Sequence, residues 1–117
     1  MIYICFMNFK ESIKNKLSEF LTLCKLHNVK NIYAFGSSVT NKFNPDSSDF
    51  DFLIEINTQD TIERGGSLMK LWDSFEIILQ RKVDLITSNS IKNPILKKNI
   101  EATKVLIYDG ENQKICI

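Results

Sequence analysis

Asp49 and Asp51 stand two residues apart in the run Ser48-Asp-Phe-Asp-Phe-Leu-Ile-Glu-Ile56. On an extended strand that spacing sends both carboxylates to the same face, about 7 Å apart along the backbone. The alternate positions Phe50, Phe52, Ile54 and Ile56 are apolar, so one face is anchored while the other presents acids. A third carboxylate, Asp84, interrupts the otherwise apolar Val83-Asp-Leu-Ile86. Placing a carboxylate in a central strand is costly unless something compensates it. If the two strands neighbour each other, three negative charges converge, and a bound cation relieves their repulsion. Hard carboxylate oxygens on a rigid platform suit Mg²⁺, which keeps open positions for water and phosphates. Two such ions can activate an attacking oxygen and stabilise a leaving one. The plainer alternative makes Asp49 and Asp51 solvated strand residues and pairs Asp84 with Arg81 or Lys82.

Upstream, the strand-like Asn31-Ile-Tyr-Ala-Phe35 ends in Gly36-Ser37. A glycine at a strand end lets backbone N–H groups and the following hydroxyl approach a phosphate closely. Gly-Ser alone carries little. A Gly-Ser strand end, an acidic pair opening the next strand and a third strand carboxylate together point to nucleotide chemistry.

The elements that must position these residues follow from periodicity. Phe9, Ile13, Leu17, Phe20, Leu21, Cys24 and Leu26 recur at helical spacing, which predicts an amphipathic helix over 9–27, stopped near Asn28. Residues 38–48 are polar and rich in Asn, Asp, Ser and Pro, as in a loop. The acidic strand spans 49–56, and the polar stretch 57–66 reads as a mobile loop. Leu68, Leu71, Trp72, Phe75, Ile78 and Leu79 mark a second helix, with Ser67 placed to cap it. The third strand is 83–86. Pro94 opens a third helix with Ile95, Leu96, Ile100 and Ala102 facing inward, and 105–108 closes the chain as a last strand before Asp109-Gly110. The order helix, strand, strand, helix, strand, helix, strand gives an α/β (α+β) class, a mixed sheet flanked by helices.

Composition sets the outer limits. The chain has 117 residues, 44% of them hydrophobic and 25% charged, which suits one domain with its own core and excludes disorder or coiled coil. A net charge of +1 offers no global field for nucleic acid or an anionic membrane, so no stable nucleic-acid binding is expected. Cys5, Cys24 and Cys116 are scattered and odd in number; they suggest neither a zinc site nor a disulfide framework and suit a reducing, cytoplasmic compartment. The apolar opening 1–7 is too short for a signal segment or a membrane span, and Met7 is an alternative start. Trp72 and Phe75 read as core, and His27 as a helix C-terminal residue with a capping or dipole role. Glu55 shares the acidic face but lies too far along the strand to be a ligand. Lys92, Lys97, Lys98 and Lys104 cluster around the third helix; a solvated face is the plain reading, an acidic partner or RNA the sharper one.

The run from Phe35-Gly-Ser-Ser through Asn44-Pro-Asp-Ser-Ser-Asp-Phe-Asp-Phe-Leu-Ile-Glu55 resembles the signature of minimal nucleotidyltransferases, in the DNA polymerase β-like superfamily. Arg81-Lys-Val-Asp-Leu-Ile-Thr87 resembles that family's third-carboxylate strand, and Asn93-Pro94 and Val105-Leu-Ile-Tyr108 are similar to its C-terminal part. The resemblance spans about 10–109, the core of a single domain over 1–117. It implies the nucleotidyltransferase fold with two Mg²⁺ ions and ATP as substrate. Asp49, Asp51 and Asp84 would ligate metal and carry catalysis, with Gly36, Ser37 and Lys42 on the nucleotide phosphates. It also implies a physiological role: an antitoxin that attaches AMP to a tyrosine of a cognate HEPN-domain ribonuclease toxin, as a hetero-oligomer with it or as a homo-oligomer. The alternative is an antitoxin of weak or no catalysis that neutralises by contact.

Two departures stand out. Eleven residues lie between Ser37 and Asp49, one more than the common family spacing, and the loop absorbs the extra residue at Ser47-Ser48. Where many relatives carry Arg after Gly-Ser, this chain offers only Lys42, a point charge without the bidentate fork. The short chain leaves no room for an acceptor-recognition lobe, which favours an acceptor that arrives as a second protein.

Overall fold

The structure, a computed structural model, describes residues 16–35, 50–112 and 114–115. Gly36, Ser37, Lys42, Asp49, Cys5, Cys116 and the first part of the predicted N-terminal helix lie outside them. Within them the order is α1 (Leu17–Leu26), β1 (Val29–Phe35), β2 (Phe50–Ile56), α2 (Thr61–Leu79), β3 (Val83–Ile86), a short 3₁₀ turn at Ser88–Ser90, α3 (Pro94–Thr103), β4 (Val105–Asp109) and β5 (Lys114–Ile115). Asn28 adopts the left-handed conformation (φ 54°) and its N–H donates to the Lys25 carbonyl at 3.2 Å, so α1 ends there and β1 starts at once.

The largest correction concerns 57–66. Only Asn57–Asp60 is loop. The Asp60 carboxylate accepts from the N–H groups of Ile62 (2.9 Å) and Glu63 (3.2 Å), an N-cap that starts α2 at Thr61. Gly65 and Gly66 sit inside this helix in open space; as glycines they weaken it, by roughly 1 kcal/mol each relative to Ala, and the cap offsets part of that. Ser67 is therefore not a cap. It is a mid-helix residue whose hydroxyl meets His27 Nδ1 at 3.3 Å.

The sheet has strand order β3-β2-β1-β4-β5. Its pairs are antiparallel except β2 with β3, which run parallel. This is the expected mixed sheet flanked by helices. On one face Phe20 and Cys24 of α1 and Leu71, Phe75, Ile78 and Leu79 of α2 pack on Ile32, Phe50, Phe52, Ile54, Val83 and Leu85. Phe75 stacks on Phe20 (ring centroids 4.8 Å apart) and meets Phe52 edge-on at 6.4 Å. On the other face a smaller cluster joins Phe35 and Leu53 to Ile100 of α3, flanked by Tyr33, Ile86 and Ile91. Of the α3 residues expected to face inward only Ile100 is buried; Ile95, Leu96 and Ala102 are exposed. The fixed phase of a helix opened at Asn93 and Pro94 turns Ile95 away from the sheet. β5 was not expected, being two residues long. It follows a turn in which the Asp109 carboxylate accepts from the Glu111 N–H (3.0 Å) and from Asn112 Nδ2 (2.7 Å), which also holds the Asp109 carboxyl below the usual carboxylate range. Gly110 is required there: its N–H donates to the Lys30 carbonyl at 2.9 Å, and a Cβ would run into the Val29 and Lys30 carbonyl oxygens. Among the described residues no helix is long and apolar enough to cross a membrane.

Cys24 is fully buried, and burial pushes its thiol from 9.0 up to about 12. The unfolded thiol ionises near 9 and the folded one near 12, so its contribution to stability is complete below pH 9 and is lost as pH rises toward 12. We expect Cys24 to resist iodoacetamide in native protein at pH 8.5 and to react on unfolding, as read by peptide mapping. Unfolding free energy should fall above pH 9, and less so in Cys24→Ala. Rapid labelling of native Cys24 would contradict this burial.

Candidate active site

β2 and β3 run parallel in the register Phe50↔Val83, Asp51↔Asp84, Phe52↔Leu85. Residues opposed in this way lie about 4.8 Å apart and share a face, so the sheet sets the two acids side by side although 33 positions separate them in the chain. On the other side of Asp51 the antiparallel register pairs it with Phe35, the last described residue before Gly36. Phe35, Asp51 and Asp84 thus form one row across three strands.

The row is held from behind by α2. Trp72 Nε1 donates to the Val83 carbonyl at 2.6 Å, and the Glu76 carboxylate accepts from the Val83 N–H at 3.0 Å. Both backbone groups of the residue preceding Asp84 are therefore gripped by one helix, which fixes where β3 begins. Trp72 is part of the scaffold, as expected of a core residue.

Asp51 is half-buried and Asp84 exposed. Among the described residues Asp84 makes no hydrogen bond or ion pair, so it is not neutralised by Arg81 or Lys82. The Arg81 guanidinium instead lies 5.6 Å from the centre of the Phe50 ring. Opposite the acids, α3 roofs part of the sheet and leaves a cleft of about 400 Å³. Its floor is Phe35, Asp51, Asp84 and Ile86, and its roof is Leu96, Asn99, Ile100 and Thr103. Two carboxylates on one side of an otherwise largely apolar slot give a local negative site. Their hard oxygens fit Mg²⁺ as a donor set. Among the described residues no cluster of three or more His, Cys, Asp or Glu side chains occurs; the third acid, Asp49, lies outside them.

The structure thus brings Asp51 and Asp84 together and leaves Glu55 out, where it pairs with Lys30 at 3.8 Å. His27 belongs to the α1–α2 side with Ser67, and burial together with the Lys70 charge lowers its pKa. Sequence reasoning did not single out Asn99 and Thr103. The signal was present in the phase of α3, since Leu96, Asn99, Ile100 and Thr103 fall at i, i+3, i+4 and i+7.

Comparison with known proteins follows the same lines. The family described as polymerase beta, nucleotidyltransferase matches residues 13–113. A protein of Methanocaldococcus jannaschii named as a protein adenylyltransferase is 38% identical over 81 residues, 69% of this chain and 79% of that protein. Among solved structures, a minimal nucleotidyltransferase superposes with a TM-score of 0.61 at 22% identity, covering 81% of this chain and 92% of the other. A toxin–antitoxin with AMP-PNP superposes at 0.58 with 19% identity, covering 84% and 80%. These structural likenesses speak to the fold.

Proposed function

The chain belongs to the polymerase beta nucleotidyltransferase family, and on that premise we propose that it is an antitoxin that transfers AMP from ATP to a tyrosine hydroxyl of a HEPN-domain ribonuclease toxin. The observation that carries this reading is the in-register opposition of Asp51 and Asp84 on the floor of a cleft. Two hard anionic groups held side by side support it, because a triphosphate and its metal call for such donors. The relatives named as protein adenylyltransferases and the toxin–antitoxin neighbour with AMP-PNP support the same class.

In this reading Asp49, Asp51 and Asp84 hold Mg²⁺, with two ions expected. Bound there, Mg²⁺ supplies neutralisation of the triphosphate charge. Gly36, Ser37 and Lys42 contact the nucleotide phosphates. The acceptor oxygen bonds to the α-phosphorus as the bond to the pyrophosphate oxygen breaks, and pyrophosphate leaves. An Asp84 oxygen takes the hydroxyl proton as that bond forms.

The test is the intact mass of the protein encoded beside this chain after co-expression. Partner made with the native chain should gain whole adenylyl units, and partner made with Asp49→Asn/Asp51→Asn should gain none. A partner that stays unmodified yet is neutralised by both forms would instead establish neutralisation by contact.

A further inference from the structure

α3 is attached to the sheet through Ile100, its one buried residue. Ile95 is 73% exposed and Leu96 43%. The same segment carries Lys92, Lys97 and Lys98, all exposed and, among the described residues, without a carboxylate partner, and Lys98 lies one turn on from Ile95 on the same side of the helix. Glu101, the one acid of the helix, is taken by Lys104 at 3.1 Å. The helix therefore shows an exposed isoleucine on a side that also carries an unpaired lysine, with further unpaired lysines along the segment. It adjoins the reaction cleft, because Leu96, the next residue after Ile95, lines that cleft.

We propose that the outer face of α3 is the docking surface for the acceptor protein, whose matching face is an apolar patch ringed by carboxylates. This rests on the adenylyl-transfer reading in one respect, namely that the docked protein is the one modified. Charge argues for the occupant. A second copy meeting α3 with its own α3 would bring the same lysines face to face. RNA would gain only three cations and would find an isoleucine where a base-stacking or hydrogen-bonding group is needed. A protein with an acidic rim satisfies both the isoleucine and the lysines, and docking beside Leu96 delivers a side-chain hydroxyl over Asp84.

The experiment uses the full chain and the purified product of the adjacent gene. Ile95→Asp and Lys98→Glu are compared with the native protein. Partner affinity is measured by calorimetry, AMP incorporation by steady-state kinetics, and nucleotide binding by the thermal shift with ATP and Mg²⁺. We expect each variant to bind the partner about tenfold or more weakly and to raise KM for the partner. The kcat at saturating partner and the ATP-induced shift should stay native. Unchanged partner affinity in both variants overturns the proposal, as does a native chain that fails to bind the partner or that binds a single-stranded RNA probe in its place. Failure of the transfer reading looks different: the native chain binds the partner without modifying it, and the variants still report on α3 through affinity alone.

Discussion

Asp84→Asn should lose about a hundredfold or more of the AMP-transfer rate with no measurable loss of thermal stability. The two halves of this expectation have separate causes. Asp84 is exposed, and among the described residues it accepts no hydrogen bond and meets no cation. Its carboxylate therefore contributes nothing to folding that asparagine would forfeit, and removing one of two adjacent like charges relieves the sheet. Its position opposite Asp51 in the cleft, by contrast, is wasted unless a cation or a proton is to be held there. Asparagine keeps the shape and discards the charge, so the rate isolates the charge. Rates of single-turnover transfer to the partner, set beside melting curves, give both numbers. A variant that transfers AMP at the native rate would remove Asp84 from the chemistry. A variant that melts early would show that the acid is structural after all.

The face that Asp51 takes was legible in the sequence because a strand has a period of two. Asp51 had to lie on the face opposite Phe50 and Phe52, whereas Asp84, expected as a costly carboxylate in a central strand, sits exposed on β3, an edge strand of the sheet, where a carboxylate is cheap to keep. Their adjacency was only conditional. Whether β3 lies beside β2, and in which register, depends on how α2 folds back, and that is set by Trp72 and Glu76 gripping Val83, contacts between positions 7 and 11 residues apart that no periodicity announces. Helix boundaries failed where local chemistry was mixed. Gly65-Gly66 reads as loop in isolation, yet Asp60 caps the chain five residues earlier and the buried Leu71, Phe75 and Ile78 hold the helix in place. α3 failed differently: at 3.6 residues per turn Ile95 and Ala102 fall on another side of the helix from Ile100, and only Ile100 is buried. A pattern shows which residues seek cover without showing whether the chain itself supplies it.

Phe75→Ala should destabilise the fold by about 3–5 kcal/mol, a large share of the roughly 5–15 kcal/mol typical of such domains. Phe75 is fully buried, stacked on Phe20 of α1 and set edge-on against Phe52 of β2. It is thus the point where both helices meet the strand that carries Asp51. Truncation removes the aromatic contacts and leaves a cavity between three elements, each pinned by its own hydrogen bonds and so slow to collapse. Urea unfolding followed by tryptophan emission suits the measurement, because Trp72 lies one turn earlier on the same helix. Transfer activity should fall by less than stability in conditions where the variant is still folded, since Phe52 faces away from the cleft and β2 keeps its register with β3 through backbone bonds. A loss below about 1 kcal/mol would mean that α1 and α2 close the gap. The helices would then be a pliable cover, and the rigidity of the acid row would have to come from the Trp72 and Glu76 grip on Val83 alone.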